Sequence, residues 1–147
     1  MKRAPFQVLV LPYRIVEGGI EFAVFKRADL DCWQFVAGGG EEGEEPREAA
    51  IREVKEECGI SADKVIALES VASIPVDFIC ERLWGDEVLM IREHCFAVSV
   101  ENPKLMLSDE HLDYQWVTFG AAVKLLRWDS NRNALWELNE RLKRRDV

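Results

Sequence analysis

The 147-residue sequence contains no run of about 18 or more apolar residues, the length a helix needs to span a bilayer. Met1-Lys2-Arg3 is followed by Pro5 and a strand-like segment rather than by a short apolar core, so no secretory signal is expected. Cysteine is sparse. Cys32, Cys58, Cys80 and Cys95 include no C-x-x-C pair, which argues against a zinc knuckle and suits reduced bystander thiols in a cytoplasmic protein. Positive charge is short as well: 19 Lys and Arg face 27 Asp and Glu, for a net charge of −8. Polymeric nucleic acid and anionic membrane surfaces would meet a repelling field. No internal repeat, low-complexity tract or linker interrupts the chain, and one domain over residues 1–147 is expected.

What is present can build a packed core, with 48% hydrophobic residues, five Trp and seven Phe. Residues 6–14 and 20–26 read as strands joined in a hairpin at Glu17-Gly18-Gly19, with Pro12 expected at a sheet edge or a bulge. Residues 33–37 read as a short strand feeding a flexible loop at Gly38-Gly39-Gly40. A helix should begin at Pro46, with acidic side chains in its first turn, and stop at Cys58-Gly59. Residues 64–76 and 87–100 read as strands around an irregular stretch at 77–86, and 114–119 as one more. Two helices should close the chain, 120–128 and 131–145, the second with Asp129-Ser130 as cap candidates and the basic run 141–145 as dipole partners. This order suggests an α/β fold, a mixed sheet covered by helices.

Residues 41–57 carry eight glutamates. A solvated helix face is the default for such a run, but the spacing here is specific. Gly38 is followed after five residues by Glu44, and after seven more by Arg52-Glu53-Val54-Lys55-Glu56-Glu57-Cys58-Gly59-Ile60. On a helix, Glu57 lies about 40° to one side of Glu53 and Glu56 about 60° to the other, so three carboxylates share one face. Like charges so placed destabilise a helix, which points to their use on cations. Hard oxygen ligands select Mg²⁺, Mn²⁺ or Ca²⁺ over zinc, and the EF-hand spacing of a calcium-binding module is absent. Magnesium binds phosphate oxygens and activates water, so an acidic chain could hold a polyphosphate and hydrolyse its anhydride bond. Arg52 is expected to hold the glutamate-rich loop by charge-assisted hydrogen bonds, with Glu44 a partner, in preference to touching substrate. Gly38 and Gly39 allow tight backbone turns that leave a carbonyl for the metal.

Residues 38–60 match every fixed position of the Nudix box, G-x5-E-x7-R-E-U-x-E-E-x-G-U with U aliphatic, and the flanking elements resemble the rest of a Nudix domain. The resemblance implies an α/β/α sandwich with a mixed β-sheet, Mg²⁺ (or Mn²⁺) as cofactor, and Glu53, Glu56 and Glu57 as metal ligands, with Glu57 the most important. It implies a monomer or homodimer. Outside the box, residues 26–29, 32–36, 93–98, 108–116 and 129–132 resemble the bacterial branch that acts on dATP and dihydroneopterin triphosphate, while Gly39-Gly40 and the insert around 79–86 depart from it.

Matching to that branch makes Glu110 a candidate ligand or general base. Neighbouring His111 could serve as a base near neutral pH, although a structural or surface role is favoured for it, and His94 reads as an ordinary polar residue. Arg27 is read as a phosphate contact or a solvated arginine, Trp33 as a stacking platform or a packing residue, Gln34 as a reader of a ring edge, and Gly59 as the helix stop. The activity expected is conversion of a nucleoside or pterin triphosphate, a small nucleotide-like molecule, to monophosphate and pyrophosphate. Its rivals are a dinucleoside polyphosphate or ADP-ribose-type hydrolase and a catalytically silent nucleotide-binding module.

Overall fold

The computed structural model describes residues 2–79 and 82–147, so Cys80 lies outside the described residues. The elements are β1 (Arg3–Val16), β2 (Gly19–Arg27), β3 (Trp33–Gln34), β4 (Val36–Glu41), α1 (Pro46–Cys58), β5 (Ile66–Pro75), β6 (Met90–Ser99), β7 (His111–Val117), α2 (Phe119–Leu125) and α3 (Asp129–Lys143), with a 3-10 turn at Val76–Phe78. The seven strands form one mixed sheet with the path β3-β2-β1-β6-β5; β4 also pairs with β1, and β7 with β2. The β1–β6 pairing is parallel and the others are antiparallel.

β1 is apolar on both sides because both faces are covered. Val8 and Val10 pack with Ala49, Ala50 and Val54 of α1. The intervening Leu9 and Leu11 pack with Ala122 of α2 and Ala134, Leu135 and Leu138 of α3. This alternation yields the α/β/α sandwich.

One departure from the sequence reading creates the site. Pro12 is not at an edge: it sits inside β1, opposite Val98 of β6. On its other flank β1 pairs with β4 from Arg3 to Val10 and with β2 from Tyr13 to Val16. Pro12 marks the changeover, where a missing N–H breaks neither ladder. From there the sheet forks into a β1–β4 branch and a β2–β3 branch, and Phe35 carries the chain between them.

The glycine run Gly38-Gly39-Gly40 is likewise not a loop but the body of β4. It lacks side chains because neighbours occupy the space. A Cβ on Gly38 would overlap the Glu53 carboxylate, and one on Gly40 would overlap the Phe6 ring. β7 begins three residues before the predicted strand, at His111, and α2 ends before Trp128. Trp128 itself precedes α3, with Asp129 already the first helical residue, so Asp129-Ser130 is not the cap.

Candidate active site

α1 starts at Pro46 as predicted, with the main-chain N–H of Glu45 donating to Glu48 Oε1 at 2.9 Å. Ala49 and Ala50 are fully buried, so the helix lies close on the sheet. This presents Glu53, Glu56 and Glu57 on one face, each offering an oxygen within 4.8 Å of the others. Glu53 and Glu57 are buried and Glu56 is exposed.

Arg52 ties this helix to the loop before it. Its Nε donates to Glu44 Oε2 at 2.8 Å and its Nη2 to Glu44 Oε1 at 3.0 Å, a two-point grip on one carboxylate. Nη2 also donates to the Gly39 carbonyl at 3.0 Å, and Nη1 to Glu53 Oε1 at 2.9 Å. Substrate would find these donors already engaged.

Gly59 ends the helix with φ 69°, its N–H bonded to the Lys55 carbonyl. A side chain there would be strained and would press on Met106, whose N–H bonds the Cys58 carbonyl. The following loop stays on the helix: the Ser108 N–H donates to the Glu57 carbonyl at 3.0 Å and its hydroxyl donates to Glu57 Oε2. The Glu110 carbonyl then accepts from Ala28 N–H at 2.9 Å, binding the loop to the end of β2. Glu110 and Arg27 thereby arrive beside the three glutamates, although the three segments are far apart in sequence.

The electrostatics are those of crowded carboxylates. Burial pushes the Glu53 carboxyl up to about 7, against the pull of Arg52 and with the help of the Glu57 and Glu56 charges. Glu57 is also raised, first by burial; its bond from Ser108 opposes this and the nearby Glu110 charge adds to it. His111 is buried, not at the surface. Burial holds its imidazole below the ordinary value, so it is neutral near pH 7. Its Nδ1 stands 3.5 Å from Glu57 Oε2 without a hydrogen bond, and its ring packs on Phe25. A group of hard, mutually repelling oxygens, two of its three carboxylates buried, beside a neutral imidazole suits a divalent cation.

Glu53, Glu56, Glu57, Glu110 and His111 line a cavity of about 740 Å³ in the fork of the sheet. Arg27 lines it, with its Nε bonded to Asp29 Oδ1 at 2.7 Å. Gln34 lines it, its Oε1 accepting from the Trp128 indole at 3.0 Å. Trp33 is not among the lining residues; it packs on the α3 side of the sheet and bridges to Leu126. Phe78 and Trp128 line the cavity instead; sequence reasoning passed over Trp128 because it stands between two helices with no local pattern. Gln7, Glu93 and Asn131 were also missed. The available signal was a charged residue, Glu93, at a buried position between the buried apolar Ile91 and Cys95 of β6.

The NUDIX domain family profile matches residues 9–137. The dihydroneopterin triphosphate diphosphatase of Escherichia coli K12 is 32% identical over 114 residues, covering 75% of this chain and 76% of that protein. An RNA pyrophosphohydrolase of Cereibacter sphaeroides is 44% identical over 132 residues, covering 77% and 79%. The crystal structure of a Listeria monocytogenes protein assigned as a Nudix hydrolase superposes with a TM-score of 0.88 and 44% identity, over 97% of each chain.

Proposed function

The chain belongs to the Nudix family of hydrolases, and from that premise we propose that it is a Mg²⁺-dependent pyrophosphohydrolase converting a nucleoside or pterin triphosphate to the monophosphate and pyrophosphate. The observation that carries this reading is the carboxylate group Glu53, Glu56 and Glu57 opening onto a cavity large enough for a nucleotide. The name of the 32%-identical relative supports the triphosphate.

Glu53, Glu56 and Glu57 would hold the ion, with Glu110 and the Gly38 carbonyl available to complete its shell. A divalent cation there supplies a Lewis acid and an acidified water. Arg52 keeps Glu53 and the loop in place while Arg27, steadied by Asp29, faces the cavity as a fixed cation for phosphate oxygens. Glu110 lines the cavity and would take a proton from water, with Glu57 and neutral His111 beside it. Three free, buried thiols, Cys32, Cys58 and Cys95, suit a cytoplasmic setting.

A second reading has its own support in the 44%-identical relative named RNA pyrophosphohydrolase. RNA offers a phosphoanhydride only at a 5′-polyphosphorylated end, and the net charge of −8 opposes a long polyanion. One screen tests both. Wild type and Glu57→Gln are assayed with Mg²⁺ over dNTPs, NTPs, dihydroneopterin triphosphate, 5′-triphosphorylated RNA, ADP-ribose and diadenosine polyphosphates. Pyrophosphate released from a small triphosphate, and lost in the folded variant, is the expected result. Near-normal kcat in Glu57→Gln would overturn the mechanism, and cleavage of RNA ends, ADP-ribose or diadenosine polyphosphates alone would overturn the substrate class.

A further inference from the structure

The hydrolytic chemistry leaves one carboxylate of the cavity unused. Glu93 is 3% exposed and lines the cavity from β6. Its Oε2 accepts from Gln7 Nε2 at 2.6 Å, while its Oε1 has no hydrogen-bond partner among the described residues. Ser130 lies close enough to favour the charged form but closes no bond on Oε1. Gln7 cannot turn to serve both oxygens, because Arg3 Nη2 donates to its Oε1 at 3.3 Å and fixes which end of the amide faces Glu93. Asn131 Nδ2 donates to the Ser130 hydroxyl at 3.2 Å, and Gln34, whose Oε1 accepts from the Trp128 indole, makes no bond to Glu93. A buried acceptor left without a donor among the described residues is open to a donor on a ligand.

The position suits the far end of a nucleotide. Gly39, Gln7 and Glu93 form one row across β4, β1 and β6, which sets Glu93 two strand spacings, about 10 Å, from the glycine strand beside the metal-binding glutamates. Trp128, half turned to solvent and pinned by Gln34, offers a flat face at the same end.

We propose that Glu93, oriented by Gln7, is a specificity-determining residue that accepts hydrogen bonds from a 2-amino-4-oxopyrimidine edge, the adjacent ring N–H and amino donors shared by guanine nucleotides and pterins. The inference rests on the triphosphate reading above and names its substrate class. An adenine edge places a ring acceptor beside its amino donor and would turn that acceptor toward the carboxylate. Burial raises the Glu93 carboxyl; two ligand donors would favour its charged form.

The test is the ratio of kcat/KM for dGTP to that for dATP, with dITP, which lacks the 2-amino group, and dihydroneopterin triphosphate as further arms, in wild type and Glu93→Gln. In the variant Gln7 retains the amide oxygen as its acceptor, so the new amide NH2 stands at the Oε1 position and meets donors with a donor. The dGTP/dATP ratio is expected to fall about 10- to 100-fold in Glu93→Gln, with dITP poorer than dGTP only in wild type. A ratio is unaffected by partial loss of folded enzyme. Preference for dihydroneopterin triphosphate over dGTP, with the same sensitivity to Glu93→Gln, would support the site and identify the pterin source. Equal efficiencies on dGTP, dITP and dATP, a preference for dATP, or a ratio unmoved by Glu93→Gln would overturn the proposal. Should no triphosphate be hydrolysed, Trp fluorescence titration with GMP, IMP and AMP decides: selective binding of GMP, lost in Glu93→Gln, keeps the site while the proposed hydrolysis falls, and unselective binding removes both.

Discussion

Replacing Gly38 by alanine should separate catalysis from stability. Gly38 lies in β4 opposite Val8 and is not among the residues with positive φ, so its backbone admits any side chain. The added Cβ would overlap the Glu53 carboxylate. Non-bonded carbons rest about 3.5–4.0 Å apart, so the carboxylate must withdraw by roughly 1 Å or more. What moves is the end of a side chain, not the sheet, and it moves against the 2.9 Å bond from Arg52. Alanine also restricts the unfolded chain, a gain of about 0.4–1 kcal/mol that offsets local crowding. Thermal stability should therefore stay within about 1 kcal/mol of wild type.

The rate should not. Misplacing a catalytic group by about 1 Å costs on the order of 100-fold, or about 2.7 kcal/mol of barrier. The assay is kcat/KM over a range of Mg²⁺ concentrations, with Mn²⁺ affinity measured by electron paramagnetic resonance and unfolding followed in urea. Gly38→Ala should keep its midpoint, bind Mn²⁺ more weakly and need more Mg²⁺ to reach a lower plateau. Wild-type turnover and metal affinity in a folded Gly38→Ala protein would refute the claim that this glycine makes room for a ligand.

Arg52→Met removes donors from Glu44, Glu53 and the Gly39 carbonyl in a half-buried setting and should destabilise by about 2–3 kcal/mol, read as a lower urea midpoint. In metal-free protein, Glu53 keeps its proton up to about pH 7 while the unfolded chain loses it near the ordinary 4.5. The folded state binds more protons across that window, so stability should fall as pH rises from about 4.5 to 7, by up to roughly 3 kcal/mol. Mg²⁺ should then raise Tm more at pH 8 than at pH 5 in scanning fluorimetry; an equal effect at both would count against Glu53 as a ligand. Asn131→Ala leaves the buried Phe35 N–H without its 2.8 Å acceptor and should cost about 1–3 kcal/mol, measured the same way.

The box was legible because its chemistry is local. A helix of known pitch turns the spacing of Glu53, Glu56 and Glu57 into a shared face, and Pro46 and Gly59 bound that helix by their own backbone restrictions. The same locality made the Arg52–Glu44 contact predictable across one loop. Both strands of the hairpin and their register, Arg14 opposite Glu21, follow from one short turn.

Failure came where a residue answers to neighbours distant in sequence. Three consecutive glycines look like a loop until Phe6 and Glu53, from two other elements, are seen to occupy the space their side chains would fill. Pro12 looks like an edge marker until β1 is seen to change partners there. That change of partner opens the fork, and the fork is why the ring end of the cavity was invisible: Gln7, Glu93 and the Trp128–Asn131 turn come from three parts of the chain and carry no common spacing. The carboxylate trio Glu53, Glu56 and Glu57 is written in one segment, whereas the end that would choose the substrate exists only after folding. Substitutions in the box should therefore change whether the enzyme turns over, and substitutions at Gln7 and Glu93 should change what it turns over. A kinetic survey in which box variants altered the dGTP/dATP ratio as strongly as Glu93→Gln would break that division.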